Sequence, residues 1–184
     1  ARMQQEAGRF DLDGVAAGVC KKQIYRHPHV FGDVAVSGTG EVLSNWEELK
    51  RKEKGQATNT DALEAVARSL PALWRAEKVQ KKAKKAGFDW PEVSGALDKL
   101  SEELEELRQA AAQGTNVAEE LGDLLFSAVN VSRFLGVDCE DALNQATDKF
   151  IGRFRKVEEQ AGERPMTEMT LAELDQLWER AKET

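Results

Sequence analysis

Beyond residue 60 the chain is cut into segments of helical period by single glycines, Gly87, Gly114, Gly136 and Gly162. Between them apolar residues recur at three- and four-residue intervals. That spacing predicts helices over about 70–86, 91–112, 116–135, 138–160 and 171–182. Asn116 with Glu119, and Thr170 with Glu173, have the spacing of capping boxes. Helices of this length joined by short connections bury their stripes against one another, so an all-α helical bundle is expected. Composition agrees: with 41% hydrophobic and 32% charged residues but only 4 Pro and 1 Tyr, the chain suits helices better than a β-sandwich.

The amino-terminal part is less regular. Residues 12–26 read as a helix weakened by Gly14 and Gly18 and stopped by Pro28. The glycine-rich stretch 30–43 reads as loop with a short strand. Ser44 with Glu47 marks the opening of a helix over 45–54, and GQATNT (55–60) reads as a linker. An internal repeat is visible across the two parts. DLDGVAAGVCKKQIYRH (11–27) overlays DCEDALNQATDKFIGRF (138–154), pairing Lys22 with Lys149 and Arg26 with Arg153. Farther on, Trp46 in NWEELK echoes Trp178 in LWERAK. Residues 1–54 therefore read as the tail of a second copy.

A net charge of −7 disfavours duplex nucleic acid and anionic membrane surfaces as partners. No apolar run approaches the roughly 18 residues of a spanning helix, and no secretory signal pattern is present. Two cysteines, Cys20 and Cys139, make no disulfide framework, and a cytoplasmic location is expected. The two histidines, His27 and His29, share one loop, which argues against a helical His-carboxylate di-iron site. They are either structural or a ligand pair.

The acidic charge is concentrated. Between Ser101 and Asp123 stand seven carboxylates (Glu102, Glu103, Glu105, Glu106, Glu119, Glu120, Asp123) against one base, Arg108. On a helix, Leu97, Leu100, Leu104 and Leu107 form one stripe, with Glu103 about 80° and Glu106 about 140° to one side of it. Val117, Leu121, Leu124, Leu125, Ala128 and Val131 form the next stripe. Glu120 lies about 75° and Asp123 about 135° to the side of that one. Glu102 and Glu119 point outward. Packed antiparallel, the two helices bring four carboxylates to one edge of the core, where mutual repulsion raises their pKa values unless divalent cations bind. All-oxygen ligands suit Mg²⁺ or Mn²⁺. The alternative is a solvated acidic face, made less apt by the lack of intervening lysines for i, i+4 pairs.

Lys149 and Arg153 stand i, i+4 beside Phe150 and Phe154. With the phenylalanines buried, the cations read as a phosphate clamp at the core's edge, or else as a basic helix face. The basic run over residues 75–90 reads as a solvated face, with a contribution to a polyphosphate site as the rival.

Five segments carry a family resemblance: RHPHVFGD (26–33), QKKAKKAGFDWP (80–91), KLSEELEEL (99–107), AEELGDLLFSAVN (118–130) and DKFIGRFRKVE (148–158). Together, and in order, they resemble MazG, an all-α nucleoside triphosphate pyrophosphohydrolase family. The resemblance covers essentially the whole chain. It implies a helical catalytic domain over 59–184, preceded by a remnant of an amino-terminal repeat with its linker over 1–58. It also implies hydrolysis of NTP to NMP and pyrophosphate with Mg²⁺, and a homodimer. By the same resemblance Glu103, Glu106, Glu120 and Asp123 are the metal ligands. Lys99, Lys149 and Arg153 lie near the phosphates, and Trp178 lies near the base. Apart from the resemblance, a carboxylate beside the site, Glu102 or Glu119, is read as the proton acceptor. Thr147 departs from the family's common Asn, and Asn116 from a Lys. A narrower pyrophosphatase of the same fold (for dUTP, dCTP or phosphoribosyl-ATP) and a non-catalytic helical interaction module are the alternative readings.

Overall fold

The structure, a computed structural model, describes residues 2–183. Among these there are ten α-helices and no strand. They are α1 (Arg2–Glu6), α2 (Leu12–Arg26), α3 (Pro28–Phe31), α4 (Thr39–Glu53), α5 (Asn59–Glu64), α6 (Ala72–Lys85), α7 (Val93–Gln113), α8 (Val117–Leu135), α9 (Cys139–Ala161) and α10 (Leu171–Glu183). A short 3₁₀ turn, Met166–Glu168, precedes α10. The all-α expectation is met. No helix among the described residues is long and apolar enough to cross a membrane. The chain divides between Ala65 and Val66 into two compact units.

In the first unit α2 packs on α3 and α4. Asp11 caps α2, accepting from the Gly14 amide at 2.8 Å. Arg26 is the buried residue of α2, with both Nε (2.7 Å) and Nη2 (2.6 Å) on Glu53 of α4. Its guanidinium lies over the Trp46 ring of α4. Two local expectations fail here. α4 opens at Thr39, well before Ser44, so Ser44 and Glu47 cap nothing. The supposed linker also carries a true capping box. Thr58 accepts from the Asp61 amide (3.0 Å), Asp61 accepts from the Thr58 amide (2.7 Å), and together they start α5.

The second unit is built on the α7–α8 hairpin, with α6 and α9 packed on α8 and α10 packed on α9. Gly114 and Gly136 end α7 and α8 in left-handed conformation, at φ 70° and 68°. Asn116 does not act as a side-chain cap. It too is left-handed (φ 55°), because the tight α7–α8 turn requires positive φ and asparagine tolerates it. Thr170 and Glu173 do form the expected box. Asp138 caps α9 and also accepts from the Trp74 indole at 3.0 Å, tying α6 to the start of α9. Val157, Leu177 and Ala181, with Met166, Met169, Leu174 and Trp178 against them, hold α10 on α9.

The main correction concerns which face of the hairpin is inside. The buried residues of α7 are Ala96, Glu103 and Ala110, a line of small side chains with one carboxylate, seven residues apart. Small side chains allow close helix approach. The leucines beside that line stay in solvent, with Leu97 44% and Leu104 41% exposed. On α8, Val117, Leu121 and Leu125 are likewise exposed. Phe150 and Phe154 of α9, expected to bury, are 54% and 38% exposed. The apolar stripes exist, but within the unit nothing covers much of them.

Candidate metal and phosphate site

Three of the four predicted ligands converge. Glu103 of α7 and Glu120 and Asp123 of α8 each offer a carboxylate oxygen within 4.8 Å of the others. Glu103 is buried, Glu120 half-buried and Asp123 exposed, so the cluster opens from the hairpin seam to solvent. Glu106, one turn beyond Glu103, lies beside it. Desolvation first, and then the charge of Glu103, push the Glu106 carboxyl above its ordinary pKa. The local cause is helical spacing, because i, i+3 pairs on two antiparallel helices present both carboxylates on one flank.

A lysine from just outside the acidic run joins the cluster. Lys99 Nζ bridges Glu103 Oε1 at 2.7 Å and Glu102 Oε1 at 2.8 Å. These bonds raise the Lys99 pKa, with Glu102 the larger cause and Glu103 the next. Lys99 is thus an i, i+4 partner of the buried carboxylate. Glu102 and Glu119 are exposed, as expected. Glu105 on the opposite flank is a surface residue 3.6 Å from Arg108.

Lys149 is exposed and Arg153 half-buried on α9. Among the described residues neither has a carboxylate partner within ion-pair distance, whereas Arg26 in the first unit is occupied by Glu53. Arg153 lies 6.0 Å from the centre of the Trp178 ring, and Phe150 packs on the same ring at 5.1 Å. Trp178 is half-buried, with one side against the α9–α10 core. Thr147, the residue that departs from the family's Asn, donates its hydroxyl to the Leu143 carbonyl at 2.8 Å.

One supporting network escapes the sequence reading. Arg133, at the end of α8, forks onto both oxygens of Asp89 and donates to Asn130 Oδ1. Its side chain is 5% exposed. Lys84 stands 3.5 Å from Asp89. The Arg133 hydrogen bonds hold the Asp89 carboxyl below its ordinary pKa against the opposing effect of burial. Next in the loop, Trp90 lies so close to Gly95 that a Cβ there would clash with the indole. The α6–α7 loop is therefore fixed at both ends, on α8 and on α7. The available signal was Arg133 itself, a charge inside the apolar run VNVSRFL.

The family model described as "MazG nucleotide pyrophosphohydrolase domain" matches residues 1–31 and 92–158. The second match spans α7, α8 and most of α9, and so every carboxylate of the cluster. The chain belongs to the MazG family. The Escherichia coli K12 nucleoside triphosphate pyrophosphohydrolase is 42% identical over 188 residues, covering 99% of this chain and 72% of that protein. Thermotoga maritima nucleoside triphosphate pyrophosphohydrolase/pyrophosphatase MazG is 41% identical, covering 99% of this chain and 70% of its own length. Bacillus subtilis YabN is 42% identical over 189 residues, which is 38% of YabN.

Proposed function

We propose that this chain is a divalent-metal-dependent nucleoside triphosphate pyrophosphohydrolase, converting NTP and water to NMP and pyrophosphate. The observation that carries it is the convergence of Glu103, Glu120 and Asp123 oxygens within 4.8 Å, in a chain of the MazG family. The donor set fits Mg²⁺, with Mn²⁺ as a substitute. It is all oxygen, it is anionic, and it is open on one side for substrate and water. Glu106, beside Glu103 on the same flank, would join the set once a cation is bound.

A cation held there would supply charge for the phosphoryl oxygens and lower the pKa of an attacking water. The remaining work falls to side chains. Lys149 and Arg153, without carboxylate partners among the described residues, bind and orient the triphosphate, Arg153 by paired donors and Lys149 as a point charge. Glu102 or Glu119 accepts a proton at the rim. Trp178 offers an indole face to the base. Every base has a π-face, so this contact supports broad base tolerance.

The assembly is a homodimer in this reading. Leu97, Leu104, Val117, Leu121 and Leu125 leave an apolar band exposed on the hairpin, which a second copy would cover. Incubation with ATP and Mg²⁺, with and without chelator, tests the reaction. AMP and pyrophosphate are expected only with metal. ADP as product, or activity that survives chelation, would count against it.

A further inference from the structure

Glu103 poses an electrostatic problem that the rest of the cluster does not share. It is 5% exposed, and its neighbours Glu102, Glu106, Glu120 and Asp123 are all acidic. A buried carboxylate persists only if paired. Its partner is Lys99, at 2.7 Å on Oε1, with the same ammonium 2.8 Å from Glu102. Lys99 is half-buried, on the flexible four-carbon stem that lets a lysine ammonium change partners.

We infer that Lys99 is a resident counter-ion, which opposes divalent-metal binding while nucleotide is absent and favours it once a triphosphate is bound. This rests on the metal-site reading above. A divalent ion at Glu103 must compete with the ammonium for the carboxylate and sit within a few ångströms of a like charge. The ammonium must therefore leave Glu103. A triphosphate supplies new anionic oxygens for it, so ammonium release costs less when nucleotide is present. Metal and nucleotide then bind with positive coupling, and by linkage each tightens the other by the same factor. The site is accordingly loaded with metal and triphosphate together and resists loading by metal alone.

The test is Mn²⁺ binding by electron paramagnetic resonance, on the full chain and on Lys99→Met, which keeps the aliphatic stem. Each is titrated alone and with an α,β-methylene triphosphate analogue. Without analogue, Lys99→Met is expected to bind Mn²⁺ at least fivefold more tightly than wild type. The tightening produced by the analogue is expected to shrink at least fivefold in the variant. Unchanged or weaker Mn²⁺ binding by a folded Lys99→Met would overturn the inference while leaving the metal site standing. Wild type that binds no Mn²⁺ under either condition would overturn both. A second measurement needs no variant. The Lys99 ammonium ¹⁵N signal of the wild-type chain is expected to shift when Mg²⁺ and analogue are added together, and a signal unmoved at saturation would refute release.

Discussion

The Arg153 guanidinium lies 6.0 Å from the centre of the Trp178 ring. In the first unit Arg26 lies 5.6 Å from the centre of the Trp46 ring, so the pairing recurs where the sequence repeat places it. The two arginines differ in what else holds them. Arg26 is locked by Glu53, whereas Arg153 has no carboxylate partner among the described residues.

Trp178 connects α10 packing to Arg153, so in the proposed reading Trp178→Ala is expected to affect both stability and substrate binding. It is half-buried against Val157, Leu177 and Ala181. Its loss should cost about 2 kcal/mol, below the roughly 3–5 kcal/mol of a fully buried Trp. KM should rise at least about fivefold with kcat little changed, because substrate and transition state lose the same contact. Thermal melts and steady-state kinetics check the two halves. An unaltered KM in folded protein would remove Trp178 from the site.

Glu120→Gln and Asp123→Asn are expected to abolish turnover and weaken Mn²⁺ binding by at least tenfold. Both should leave the metal-free protein as stable as wild type or more so, since each relieves repulsion within the cluster. Glu105→Gln, on the opposite flank and paired only at the surface, should be silent in both assays. Wild-type turnover by both cluster variants would show that the carboxylates serve another purpose.

Acid should loosen α10 through Glu173. Arg164, first, and then the Thr170 amide and hydroxyl hold its pKa at about 2, against an ordinary 4.5. A depressed carboxylate contributes stability that is complete above the unfolded-state pKa and lost as pH falls toward the folded-state value. Melting temperature should therefore fall between about pH 4.5 and pH 2. Glu173→Gln should be less stable at neutral pH and flatter across that window. Added salt should shrink the difference, because the pair is exposed. Parallel melting profiles for the two proteins would contradict this account of the cap.

Leu97→Asp with Leu104→Asp is expected to turn a dimer into a monomer at micromolar concentration while helix content is kept. Both leucines are exposed in the single chain, so charging them costs little inside the unit. Sedimentation velocity and circular dichroism check it. A wild-type monomer would refute the dimer directly.

Helix boundaries in the second unit were legible because glycine and cap chemistry is local. Gly114, Gly136 and the Thr170–Glu173 box act within a few residues of themselves. Glu103, Glu120 and Asp123 were legible because helical spacing fixes their flank. What periodicity does not encode is which surface covers a stripe. Leu97 and Leu104 repeat as core residues do, yet Ala96, Glu103 and Ala110 take the seam. Arg133 and Asp89 lie far apart in sequence, and no local pattern joins them. Lys99 was legible as a lysine beside the site, but its ion pair with Glu103 was not read. It stands just outside the acidic run, one turn before the carboxylate it neutralises.

The central claim is that the α7–α8 carboxylates hold a metal that serves cleavage of NTP to NMP and pyrophosphate. Phosphorus NMR of ATP with wild type and Glu120→Gln in Mg²⁺ tests it most directly. AMP and pyrophosphate signals growing in equal amounts from the first spectrum, with no ADP and no orthophosphate, and neither product with Glu120→Gln, is the predicted result. Orthophosphate and ADP as first products, or equal turnover by Glu120→Gln, would contradict it.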